Sequence, residues 1–215
     1  MNIGIIGGTF NPVHLAHLRI AEEVRDEFGL DMVIFIPAAE PPHKPLAGDL
    51  PFADRFEMVQ LAIAGNPFFT VSDIEQQRGG KSYSIDTLRM LRERHPDDAL
   101  NFIIGSDSFM DIGTWREYQA IFACCNIIVV QRPRSVVAAP ERALPAAIAG
   151  QFSSGSDGRH LIHCSGNSVY YKEGVPLDIS SSTIRELVRR CRSIRYLVPE
   201  AVGQYIQEKR LYQNG

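Results

Sequence analysis

IGIIGGTFNPVHLAHL, residues 3–18, holds the decisive pattern of the chain. Ile3, Ile5 and Ile6 form a β-branched apolar run that stops at Gly7 and Gly8. A polar turn follows, and a helix-period stretch begins at His14. The missing side chains of the two glycines let a ligand approach the backbone. The free N–H groups at the start of the next helix point into the same space, so strand, glycine turn and helix start together form an anion site. His14 and His17, at i and i+3, share one face of that helix. Their imidazoles can donate hydrogen bonds to phosphate oxygens and take up positive charge as a phosphate becomes more negative.

The same alternation runs through the chain. Short apolar runs rich in β-branched residues lie at 2–7, 32–37, 69–74, 100–105 and 126–132. Their continuous apolarity predicts strands covered on both faces. Helix-period stretches fall between and after them, at 14–28, 52–65, 84–95 and 109–122. This order predicts an α/β chain with a Rossmann-like, doubly wound parallel sheet, whose ligand site lies at the carboxyl ends of the strands. Residues 133–158 break the pattern: they are rich in Pro, Ala, Ser and Gly, with room for a short helix before a loop at SSGSDG. A last strand-like segment at 168–179 leads into SSSTIRELVRRC. We read one domain over 1–215, with 179–215 as a small helical C-terminal tail.

Composition narrows the function. The chain has 215 residues, 45% hydrophobic and 22% charged, with a net charge of −3. Such a chain buries a core without needing a disulfide or a metal. The charge argues against a general nucleic-acid or membrane-surface binder, so any polyanion must be held locally. Cys124, Cys125, Cys164 and Cys191 include no spaced CxxC pair and predict free thiols. No signal peptide is evident, and no apolar run approaches the roughly 20 residues of a membrane span. We expect a cytoplasmic protein.

Other phosphate and metal motifs fit poorly. The first turn is neither GxGxxG nor a P-loop, because no GK[ST] follows it. GGKS at 79–82 ends like a P-loop, but residue 75 is Glu where that motif has Gly. The two histidines lack HExxH spacing and no Cys/His cluster supports a zinc site, so we assign no metal ligands on the protein.

GGTFNPVHLAH (7–17) resembles the GxFxPxHxGH signature of the nucleotidylyltransferase superfamily, whose members transfer a nucleoside monophosphate from ATP or CTP to an acceptor. ISSSTIR (179–185) is similar to that superfamily's second signature, ISSTxIR. PAAEPPHK (37–44), SYSIDTL (82–88), IIGSDSFMDIGTWREY (103–118) and RYLVPEAVGQYIQEKRLY (195–212) extend the resemblance, over nearly the whole chain, to the bacterial nicotinate-mononucleotide adenylyltransferase family. Ala16, Asn11, Ser182 and Ser84 depart from the usual Gly, Asp, Thr and Thr, and none removes a group the chemistry requires.

The resemblance implies ATP and nicotinate mononucleotide as substrates, Mg²⁺ as the cofactor that accompanies ATP, and no nucleic-acid or membrane partner. A homo-oligomer is left open. His14, His17, Lys44 and Arg185 are the implied catalytic groups, with His17 foremost in the transition state. Lys44 follows two prolines and His43 beyond the second strand, and Arg185 offers a guanidinium fork near a helix start. Gly7, Gly8, Thr9, Phe10, Gly105, Asp107, Ile179, Ser181 and Ser182 are expected at ATP, with a helix-cap role open for Asp107 and for one of the two serines. Ser84, Trp115, Tyr118 and Arg132 are expected at the mononucleotide. Trp115 would stack on the pyridine, while Ser84 and backbone N–H groups near Trp115 and Tyr118 would read its carboxylate. A phosphopantetheine adenylyltransferase-like enzyme shares both signatures but lacks SYSIDTL and TWREY. A catalytically silent nucleotide-binding regulator is the non-enzyme alternative.

Overall fold

The computed structural model describes residues 1–42, 50–131, 143–155, 160–174 and 177–213. The first two thirds alternate strand and helix: β1 (Asn2–Gly8), α1 (Leu15–Phe28), β2 (Met32–Pro37), α2 (Phe52–Ile63), β3 (Phe69–Val71), α3 (Ile74–Arg78) and α4 (Ser84–Arg94). Then come β4 (Ala99–Gly105), α5 (Ser106–Met110), α6 (Tyr118–Cys124) and β5 (Asn126–Gln131). The last third holds β6 (Phe152–Ser154), β7 (His160–His163), β8 (Ser168–Glu173), α7 (Ser181–Arg189) and α8 (Glu200–Glu208).

One sheet joins the strands in the order β3-β2-β1-β4-β5-β8-β7-β6. All neighbouring pairs from β3 to β8 are parallel, while β7 pairs antiparallel with both β8 and β6. From β1 the chain first winds outward through β2 and β3, then returns to place β4 on β1's other side. The order therefore reverses at β1, which opens a crevice at the carboxyl ends of β1 and β4.

The continuous apolar strands have a direct cause. Ile5, Ile34, Phe102 and Ile127 face a core shared with α3, α4, α5 and α6, including Ile74, Leu88, Phe109 and Phe122. Ile6, Phe35, Ile103 and Ile128 face the opposite core, with Val24 of α1, Met58 of α2, Ile184 of α7 and Val202 of α8. Each fully buried side chain of this kind contributes roughly 1.5–3 kcal/mol, and alternate residues of every central strand serve opposite cores.

Four expectations change. The strand foreseen at 69–74 is only Phe69–Val71, because α3 starts at Ile74. The helix foreseen at 109–122 divides into α5, a 3-10 turn at Ile112–Thr114 and α6. There Thr114 Oγ1 donates to Asp111 O (2.8 Å) and Trp115 N–H donates to Ile112 O (2.9 Å), which closes a turn in place of the helix. The strand foreseen at 168–179 ends at Glu173. Finally, Phe152–Ser154, within the stretch expected as helix and loop, is a strand, and β7 was not foreseen. Strands of three and four residues carry too few side chains to show a period. Of the expected short helix, residues 132–142 lie outside the described residues, while Ala149–Gln151 forms a single 3-10 turn.

The free thiols are as expected: Cys124, Cys125, Cys164 and Cys191 form no disulfide. Among the described residues no helix is long and apolar enough to cross a membrane.

Candidate active site

β1 ends in a turn that is held from below. Phe10 is buried with φ at 47°, in the left-handed region that costs a non-glycine residue about 1–3 kcal/mol. Its ring packs edge-on against His17, with centroids 5.0 Å apart, and tilts against Phe35 at 5.9 Å. The Phe10 side chain thus belongs to the core under the turn, although the residue was expected at ATP. Gly8 sits directly over that ring: a Cβ there would meet Phe10 carbons at 3.2–3.5 Å. The ring is buried against His17 and Phe35 and would have to shift by a few tenths of an ångström, so Gly8→Ala should overpack the site at about 1–3 kcal/mol. In a domain of this size that corresponds to a fall in Tm of roughly 2–12 °C, read by a thermal scan.

His14 is the residue at the N-terminal cap of α1, and His17 stands one turn inside. Their rings stack at 3.6 Å with 23° between planes. His17 Nδ1 accepts the His14 backbone N–H at 3.2 Å. A neutral imidazole that accepts at Nδ1 carries its proton at Nε2. His17 lines the cavity. His14 is the more buried of the two and backs His17's ring.

The second signature docks on the first. Ser180 caps α7, its Oγ accepting Thr183 N–H at 3.1 Å, so neither Ser181 nor Ser182 is the cap. Ser181 Oγ instead donates to Pro12 O at 2.9 Å, and Ser182 Oγ lies 3.0 Å from Ser180 Oγ. Arg185 Nη1 donates to Asn11 O at 2.7 Å, across 174 residues of chain. Asn11 also accepts Tyr212 O–H at Oδ1 (2.7 Å), a bond from the C-terminal tail. Burial pulls the Arg185 guanidinium below its ordinary value and pushes the Tyr212 phenol above its own. Arg185 Nε is buried without a hydrogen-bond partner among the described residues. Ile179 packs its side chain against the core shared with α1 and α2.

A cavity of about 540 Å³ opens where β1 and β4 end. Its walls bring together Gly7, Gly8, Thr9, His17, Ser84, Gly105 and Trp115 from the expected set. This volume suits a nucleotide-sized ligand, since small-molecule sites run from about 300 to 1,000 Å³. Ser84 is the first residue of α4, and Trp115 packs edge-on to Phe102 at 6.3 Å. Asp107 is exposed in the first turn of α5, whose cap position belongs to Gly105. Phe10, His14, Tyr118, Arg185, Ile179, Ser181 and Ser182 are not among the residues that line it. Lys44 and Arg132 lie outside the described residues. The Trp115 N–H donates to Ile112 O and the Tyr118 N–H to Trp115 O, so these two of the N–H groups in that region are engaged within the turn.

Three wall or sub-wall residues escaped the sequence reading. Arg116 lines the cavity with its guanidinium 4.9 Å from the Tyr83 ring centre. Glu75, also on the wall, is buried and accepts Thr87 O–H at 2.7 Å and Ala39 N–H at 3.4 Å. Arg55 is fully buried beneath the turn. Its position beside Met58 and Val59 on the inner face of α2 was a visible signal, since an arginine on an apolar stripe is unusual. Nothing local in sequence marked Glu75.

No three His, Cys, Asp or Glu side chains converge among the described residues.

The sequence matches the Cytidylyltransferase-like family over residues 5–187. It is 63% identical to a protein of Citrifermentans bemidjiense named "Probable nicotinate-nucleotide adenylyltransferase", across 99% of this chain and 98% of that one. The chain belongs to the nicotinate-nucleotide adenylyltransferases. A Geotalea uraniireducens protein of the same name is also 63% identical, over 100% of this chain and 99% of its own. The family fold is visible in a solved structure, Plasmodium falciparum nicotinic acid mononucleotide adenylyltransferase complexed with NaAD. The two share a TM-score of 0.77 at 20% identity, covering 100% of this chain and 98% of that one. Family members of this class generally use a divalent metal.

Proposed function

We propose that this cavity joins the AMP part of ATP to nicotinate mononucleotide, forming nicotinate adenine dinucleotide and releasing pyrophosphate. The observation that carries the reading is the docking of the two signature segments beside one cavity that His17 and Trp115 both line. The family's relatives bear the name of this activity.

The acceptor phosphate is ionised at neutral pH and attacks the α-phosphorus in line. An oxygen–phosphorus bond forms there while the bond to the β-phosphate bridging oxygen breaks, and pyrophosphate leaves with the electron pair. No general base is needed, so positioning and charge stabilisation suffice. His17 Nε2–H donates to a phosphate oxygen as charge builds. The N–H groups of the turn after β1 and of the start of α7 receive the triphosphate, with Arg185 and Lys44 supplying cations. Mg²⁺, held by phosphate oxygens and water, would neutralise charge on the leaving pyrophosphate.

On the acceptor side, Trp115 stacks on the pyridine and Ser84 Oγ–H binds its carboxylate. Trp115→Ala should raise the acceptor KM about 2- to 12-fold, since a stacked aromatic pair is worth about 0.5–1.5 kcal/mol. Acid and amide acceptors should suffer equally, because stacking does not sense the carboxylate. Ser84→Ala should instead lower the acid-to-amide ratio by about tenfold or more, the loss expected for a hydrogen bond to a charged group. Unchanged acceptor kinetics in the first variant would return Trp115 to the core. An unchanged ratio in the second would leave the selection to other groups, Arg116 among them.

The decisive experiment offers the protein ATP and Mg²⁺ with nicotinate mononucleotide, its amide counterpart and phosphopantetheine, scoring adenylylated product and pyrophosphate. The reading expects dinucleotide with the acid acceptor foremost. Product with phosphopantetheine alone, or no turnover with bound ATP, would replace it.

A further inference from the structure

A charged side chain with no solvent exposure lies under the phosphate turn. Arg55 projects from α2 and is 0% exposed. Its partners are three backbone carbonyls on two separate loops: Nη1 donates to Thr9 O (2.9 Å) and Ala38 O (2.7 Å), and Nη2 to Ala39 O (3.4 Å). Nε is buried with no hydrogen-bond partner among the described residues. The guanidinium carbon lies 5.5 Å from the Phe52 ring centre. Burial draws this guanidinium below its ordinary value, with Tyr212 and then Glu75 acting in the opposite direction. Burying an ion in this way costs several kcal/mol before its contacts are counted. Stability alone gives little reason for it, since an apolar side chain could fill the same space.

The two loops give the reason. Thr9 belongs to the turn after β1, and Ala38 and Ala39 follow β2; both lie at the carboxyl edge of the sheet beside the cavity. Ala38 N–H also donates to Gly8 O at 2.8 Å. On its far side the second loop is held by Glu75 through Ala39 N–H and by Ser82 through both Glu40 N–H (3.0 Å) and Glu40 O (2.8 Å). From there the chain continues to Pro41 and Pro42 on the cavity wall. A peptide unit is planar, so fixing Thr9 O turns the Phe10 N–H to the side away from Arg55. Phe10 is the residue with φ at 47°, and its ring carries His17.

We propose that Arg55 is a positioning residue for adenylyl transfer: by gripping Thr9 O and Ala38 O together, it holds the strained turn and the second loop at the spacing that ATP requires. Through Phe10 the same grip sets the seat of the His17 ring. A planar fork can bridge two loops, whereas an ammonium group presents a single centre. The inference rests on the reading of the cavity as the ATP site.

The test compares Arg55→Lys and Arg55→Met with the parent in three measurements: a thermal scan, calorimetric binding of ATP with Mg²⁺ and no acceptor, and steady-state kinetics. Arg55→Lys keeps the buried charge and loses the bridge. It is expected to unfold cooperatively, to bind ATP about tenfold or more weakly, and to lose at least tenfold in kcat, because ångström-scale misplacement near a reaction costs up to about 10²-fold. The acceptor KM should stay within about threefold, since Arg55 bonds neither the start of α4, which carries Ser84, nor the turn that carries Trp115. Arg55→Met, if it folds, should be worse than Lys in the same direction; if it does not, the Lys variant decides. A lowered Tm with parental ATP affinity and kcat in the Lys variant would make Arg55 purely structural and overturn the proposal. Failure of the parent to use nicotinate mononucleotide would count against the reaction assigned above, while the ATP-binding comparison would still judge Arg55.

Discussion

His17→Ala is expected to lower kcat by about 10²–10³ at saturating substrates, the usual cost of removing one donor aimed at developing charge. The KM for ATP should move far less. The imidazole is fixed before any substrate arrives: His14 stacks on one side at 3.6 Å and Phe10 meets it edge-on at 5.0 Å. Nδ1 is engaged by the His14 N–H, and His17 lines the cavity together with Gly7, Gly8 and Thr9, so the phosphate contact is assigned to Nε2–H. A donor held this way reorganises little during reaction, so its bond strengthens as the phosphate oxygens gain charge. His17→Asn, which keeps a short N–H donor, should recover part of the rate. Because His17 accepts a bond at the start of α1, the thermal midpoint of each variant has to be measured beside kcat. Parental kcat in a well-folded Ala variant would remove His17 from the transition state.

The parts legible in sequence were those carried by contiguous residues. Four apolar runs marked β1, β2, β4 and β5 because each of these strands must face two cores, while the fifth, at 69–74, spans the short edge strand β3 and the start of α3. The glycine turn and the paired histidines were visible for the same reason, since strand, turn and helix start follow one another in 16 residues. What escaped depended on contacts between distant segments. The cap of α7 went to Ser180 and not to Ser181 or Ser182, where a cap role was left open, and Ser181 donates instead to Pro12 O. Trp115 N–H and Tyr118 N–H close a turn that the helical periodicity of 109–122 concealed. β6 and β7 are too short to show a period, and each is specified by its antiparallel neighbour. Arg55 carried a signal that periodicity could have flagged, while Glu75 acquired its place only when α3 and α4 came together around Thr87.

Arg185→Lys should also fall hard, by about 10- to 10²-fold in kcat/KM for ATP, with the acceptor KM nearly unchanged. One arm of the fork is engaged: Nη1 holds Asn11 O at 2.7 Å. Another donor, Nε, is buried without a partner among the described residues, and burial already works against the charge. An anion beside this guanidinium would restore what desolvation takes, through hydrogen bonds to a charged group worth roughly 1.5–3 kcal/mol each. Lysine offers one centre and must choose between the loop carbonyl and the phosphate. Arg185→Met, lacking both, should lose at least as much and also loosen the turn. Tyr212→Phe separates the two roles: it removes only the bond to Asn11 Oδ1, at about 0.5–1.5 kcal/mol of stability, and leaves the fork in place. If anchoring the turn were the whole task of Arg185, all three variants would share a lowered Tm with parental ATP kinetics. If the fork also grips ATP, the two Arg185 variants should part from Tyr212→Phe in the KM for ATP, and the size of that gap measures the phosphate contact.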